Sequence, residues 1–140
     1  MHRSGVAQVG LIRDSTGACS CLIALWRDPA VSGGGGVWVI DARDWSVHSV
    51  DDQATDVRVA PNTLVTWDRR SATGVTGYRP GGTLLFHALP GKAVSNVGVT
   101  ARYGYVEAGG RFSLDLGTGR VTGPLRNRAD LVLPDLLDLP

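Results

Sequence analysis

Cysteine is scarce in this chain: there are two, Cys19 and Cys21, separated by one residue. On a strand, side chains at i and i+2 point to the same face. Zinc sites need about four ligands at characteristic spacings, and His2, His48 and His87 are scattered. No metal centre is therefore expected, and the cysteines read as small buried hydrophobes, not as a disulfide. Long apolar runs are also lacking, since none approaches the ~18 residues of a membrane span. The stretch Cys19 to Trp26 is too short, and starts too late after Arg13 and Asp14, for a signal peptide. A cytoplasmic address away from membranes follows. Nor is there an excess of one charge: 14 basic against 13 acidic residues leave +1, too little for the long-range field that draws a nucleic acid. Lys92 is the single lysine, and the arginine bias reads as genome composition instead of an anion site.

Catalytic signatures are missing too. The chain has no Gly-x-Ser-x-Gly elbow, no cysteine beside a positioned histidine, and no Walker or dinucleotide fingerprint. The run Gly33 to Gly36 lacks the spacing and the following helix that would let backbone N–H groups hold a phosphate, and reads as a loop. A carboxylate pair for glycoside hydrolysis needs a separation of about 5 to 9 Å. Of the candidates Asp41, Asp68, Glu107 and Asp115, all but Glu107 stand at strand ends, where an aspartate serves its own turn. No catalytic residue and no cofactor is assigned, and the reading leans away from an enzyme.

What is present is a strand-and-turn pattern. Alternating and β-branched apolar runs of four to seven residues recur from Val9 to Val121, divided by Gly, Pro, Asn and Asp, and no window sustains the helical period. A 140-residue chain has room for one domain. We read residues 1–125 as a single all-β domain and 126–140 as an apolar tail rich in Leu, Pro and Asp. Laid under one another, the runs form an internal repeat of three units, about 9–50, 56–97 and 96–123. First strands are expected at Val9–Arg13, Asp56–Ala60 and Asn96–Thr100. Second strands are expected at 21–26, 64–67 and 103–106, with Leu25, Val65 and Tyr105 recurring every 40 residues. Third and fourth strands are expected as hairpins: Val37–Asp41 with Ser46–Val50, Thr83–His87 with Lys92–Val97, and Arg111–Leu116 with Arg120–Gly123.

The run from Tyr103 to Gly123, YGYVEAGGRFSLDLGTGRVTG, resembles a blade of the quinoprotein-like and Trp-Asp-repeat-like β-propellers, and Trp67-Asp68 resembles the dipeptide that names the latter family. The resemblance implies three four-stranded antiparallel meanders arranged as propeller blades. Propellers close with typically four to eight blades, so three leave sheet edges open. A second copy, further sequence, the leucine-rich tail, or a pseudo-threefold β-trefoil of the same strand count are the alternatives.

The segment Arg69 to Gly82 reads as an insertion, because the third unit does without it, and loops carry function disproportionately. Arg69, Arg70, Tyr78 and Arg79 within it offer guanidinium donors and an aromatic to a carboxylate-bearing or sugar-like ligand or to a protein edge. Trp45 joins them as a tryptophan in an expected turn, where Trp26, Trp38 and Trp67 are expected to pack between sheets. The functional expectation is a non-catalytic binding or protein-interaction module, self-associating or bound to a protein partner. The alternatives are a lectin-like trefoil binding glycan and a detached part of a propeller enzyme.

Overall fold

The computed structural model describes residues 6–13, 20–27 and 35–125, with backbone alone for 6–13, 20, 26, 27 and 35. It is all-β. Among the described residues twelve strands form three separate four-stranded antiparallel sheets, each a simple meander. The first holds β1 (Val6–Arg13), β2 (Ser20–Arg27), β3 (Gly35–Asp41) and β4 (Val47–Asp51); the second holds β5 (Asp56–Ala60), β6 (Thr63–Trp67), β7 (Val75–Tyr78) and β8 (Leu84–Ala88). The third holds β9 (Asn96–Val99), β10 (Tyr103–Glu107), β11 (Arg111–Asp115) and β12 (Val121–Thr122). Every strand pairs within its own unit. A trefoil would close strands of all three units into one barrel, which needs pairing between units, so that alternative is set aside.

The meanders stack face to face like propeller blades. Neighbouring sheets meet along their first strands, β1 against β5 and β5 against β9. The middle sheet is covered on both faces, which explains why all five residues of β6 are buried. Strand alternation sends Leu64 of β6 and Val57 of β5 towards the first sheet, where Ile23, Leu25, Val37 and Val39 meet them. Val65, Trp67, Val75 and Phe86 go the other way, against Val97, Val106, Phe112 and Leu114 of the third sheet. The 40-residue recurrence thus has a structural meaning. Leu25 faces the second sheet, Val65 faces the third, and Tyr105 pairs with Ser113, itself paired with Thr122, on the corresponding, outward face of the third. Among the described residues no further sheet lies on the outer side of the first sheet or of the third.

The second unit departs from the sequence reading. Its third strand is Val75–Tyr78 and its fourth Leu84–Ala88, whereas the sequence pattern predicts Thr83–His87 as the third and Lys92–Val97 as the fourth. The residues at 96–97 instead open β9 of the third unit. The reason lies in Gly74 and Gly77, which give this short strand the look of a loop. Gly77 is glycine for packing: a Cβ there would run into the ring of Phe86, its cross-strand partner. Consequently the supposed insertion Arg69 to Gly82 is a turn, a strand and half a hairpin. A second correction concerns Cys21, which is buried and disulfide-bonded where a thiol had been expected. The other cysteine, Cys19, lies outside the described residues, as does the tail 126–140. Among the described residues no helix is long and apolar enough to cross a membrane.

Candidate functional site

Meander geometry sorts the connections into two ends. First-to-second and third-to-fourth turns lie at one end, and second-to-third turns and the links between sheets lie at the other. Four of the five sequence-selected residues therefore separate. Trp45, in the β3–β4 hairpin, and Arg79, in the β7–β8 hairpin, are at the hairpin end; Arg69 and Arg70, after β6, are at the link end.

At the link end the arginines are engaged. Arg69 Nε lies 2.6 Å from Asp56 Oδ2 and its backbone N–H donates to Thr55 Oγ1 at 2.9 Å. Arg70 donates to Asp68 from its backbone, 2.9 Å, and from Nε, 2.9 Å, and its Nη2 donates to the Gln53 carbonyl at 3.2 Å. Tyr78 reaches between the first and second sheets, its hydroxyl donating to Asp51 Oδ2 at 3.4 Å. Burial first, then the Asp51 charge, pushes its phenol up to about 12. Asp51 also accepts from Thr66 Oγ1 at 2.7 Å, making it a polar link from the end of β4 into the second sheet.

The strand-end carboxylates serve their own turns. Asp41 Oδ1 accepts from the Arg43 backbone at 2.9 Å, Asp68 Oδ1 from Arg70, and Asp115 Oδ1 from Gly117 at 2.8 Å and Thr118 at 3.2 Å. The Arg43 side chain, then its backbone N–H, hold Asp41 down at about 2. An aspartate held low by its own turn, as Asp41 is, is the opposite of a raised general acid. The hydrolytic reading loses these three. Among the described residues no three His, Cys, Asp or Glu side chains gather to hold a metal ion.

Trp67, of the Trp67-Asp68 pair, is a core residue, 3% exposed, with Arg58 stacked 5.4 Å from its ring centroid. Its Nε1–H has no acceptor among the described residues.

A concave feature lies at the hairpin end, between the second and third sheets. It is a cleft of about 360 Å³, lined among others by Asn62, Thr63, Arg79, Leu85, Arg102 and Asp115. Arg79 comes from the β7–β8 hairpin, Arg102 from the β9–β10 turn, so the two sheets each contribute a guanidinium. Arg102 lies 5.6 Å over the Tyr103 ring, and its carbonyl accepts from the Leu116 N–H at 2.9 Å. These contacts tie the turn to the third sheet. Sequence reasoning found Arg79 but missed Arg102, which stands in a short turn without any local motif; its relation to Arg79 exists only through sheet stacking.

No family model matches the chain, and no curated protein matches it. Among solved structures it is similar to the crystal structure of the computationally designed Ika4 protein, at 14% identity and a TM-score of 0.53, over 81% of this chain and 77% of that one. That likeness concerns the fold alone.

Proposed function

We propose that this chain is a non-catalytic binding module that takes a small oxyanion-bearing ligand, a carboxylate or a phosphate, in the cleft between the second and third sheets. The observation that carries the reading is the pair Arg79 and Arg102, brought to one concave site from two different sheets. Guanidinium groups match carboxylate and phosphate oxygens with paired N–H donors. The cleft falls in the ~300 to 1,000 Å³ range of small-molecule sites. Hairpins on stacked sheets hold both arginines at the blade ends, so little ordering of the scaffold is required on binding.

Citrate and inorganic phosphate are suitable probes. Thermal unfolding with increasing citrate or phosphate should move to higher temperature at constant ionic strength, and a probe at 100 times its dissociation constant stabilises by about 2.7 kcal/mol. In an Arg79→Ala, Arg102→Ala double variant that shift should vanish. An unchanged midpoint with both probes, or a shift that survives in the double variant, contradicts the proposal.

A further inference from the structure

The two inner sheet contacts share a device that the outer face of the first sheet repeats with the sizes reversed. In the third unit, the β11–β12 hairpin places Gly119 at φ 78°, with its N–H donating to the Asp115 carbonyl. A Cβ on Gly119 would come within 2.5 Å of Phe86 Cβ, on the fourth strand of the preceding sheet. In the second unit, the β7–β8 hairpin places Gly82 at φ 97°, and a Cβ there would lie 3.7 Å from the His48 ring, again on the fourth strand of the preceding sheet. A left-handed hairpin residue therefore abuts the previous sheet's last strand at each inner contact.

Trp45 holds this position in the first unit. Its N–H donates to the Asp41 carbonyl at 2.7 Å, four residues back, as Gly119 donates to Asp115 at 2.8 Å, and its φ is 60°. Among the described residues no sheet precedes the first. Trp45 is 67% exposed and Val47, two residues on, is 54% exposed; its cross-strand partner Ile40 is half-buried on the same outer face. A bulky side chain in left-handed backbone costs free energy and shows its ring to water, where its counterparts are glycines. At the other open end, Thr122 of β12 is paired with Ser113 on the face that Phe86 occupies one unit earlier, and it is small and exposed. At the inner contact a large residue, Phe86, meets a glycine. Among the described residues no sheet lies beyond β12, and there the small residue is the exposed Thr122 while the bulky one is Trp45.

We propose that the occupant of these faces is a second copy of this chain, placed so that the Trp45 hairpin of each copy seats against β12 of the other. The contact is the inner sheet-to-sheet contact repeated between chains. Its two ends are unlike, so the association is head to tail, and two such contacts about a two-fold axis close a ring. Two copies of three sheets make six, within the four to eight that close a propeller.

The test is sedimentation of the whole chain. The parent should run at twice its 14.8 kDa mass. Trp45→Gly, which suits the backbone, and Thr122→Arg, at an exposed site, should each fold cooperatively yet raise the dissociation constant at least tenfold. In an equimolar mixture of the two variants one of the two contacts is intact, since a wild-type Trp45 hairpin meets a wild-type β12, so the mixture should regain pairing that neither variant has alone. A parent that stays at 14.8 kDa, a series of polymers, a pair indifferent to Trp45→Gly, or a mixture without recovery would each overturn the proposal.

Discussion

At the residue scale, Trp45 and Gly119 stand in the same hairpin position, so opposite substitutions should act in opposite directions. Gly119→Ala forces a side chain into left-handed backbone and onto Phe86. Its cost should be about 2 kcal/mol or more, read from the urea midpoint. Trp45→Gly at low protein concentration should range from neutral to about 1 kcal/mol more stable, since the relief of strain is partly offset by the freer unfolded chain. Trp67→Phe removes the buried N–H without an acceptor together with some ring volume. We expect a loss of about 1 kcal/mol or less, against the ~3 to 5 typical of a buried tryptophan cut to alanine. Asp41 gives a pH signature. Its folded-state value lies below the ordinary 3.8, so its contribution is present above about 4 and lost as pH falls towards 2. Asp41→Asn should accordingly be less stable than the parent at neutral pH and equal to it at the acid end, as followed by urea unfolding at each pH. That Trp45 sits in a turn, and that Asp41 and Asp115 serve theirs, is legible in the sequence, because turn chemistry is local. The positive φ of Trp45 is not legible, since only the comparison with Gly119 in space gives the position away.

At the scale of the strand and sheet, eleven of the twelve strands among the described residues fall on runs that alternation and turn residues mark; the exception is β7, and the physical cause is Gly77 within it and Gly74 just before it. With β7 taken as loop, the second hairpin slides one strand along and takes in the start of β9. The error also joined Arg69, Arg70, Tyr78 and Arg79 into one surface, although strand direction sends Arg69 and Arg70 to the end away from Arg79. Burial tests the corrected assignment. Val75 and Leu64 are both fully buried on opposite faces of the middle sheet, so Leu64→Ala should cost about 3 kcal/mol and Val75→Ala a comparable though smaller amount. Val75 in a surface loop would give almost nothing. Tyr78 adds an alkaline counterpart to Asp41. With its phenol raised from 10.0 to about 12, its contribution holds below pH 10 and falls away as pH rises towards 12. Phenolate absorbance should show a late-titrating step, and Tyr78→Phe should reduce its amplitude by one phenol.

At the scale of the whole molecule, the repeat accounts for the stack and for where the stack stops. Three units, the blade-like meander and the open edges follow from the sequence, because each unit's period-two pattern reports its own two faces. Which face of one sheet meets which face of the next does not follow, since that depends on the stagger and stacking of strands distant along the chain. The cleft with Arg79 and Arg102 and the unlike outer faces both belong to this level. A head-to-tail pair turns the open ends into one more sheet contact of the kind already present twice within the chain. The most direct measurement is the solution mass of the unaltered 140-residue chain by sedimentation velocity over a range of concentrations. A closed species of twice 14.8 kDa, giving way to the single chain only on dilution, is the predicted result, and a 14.8 kDa species at every concentration would contradict it.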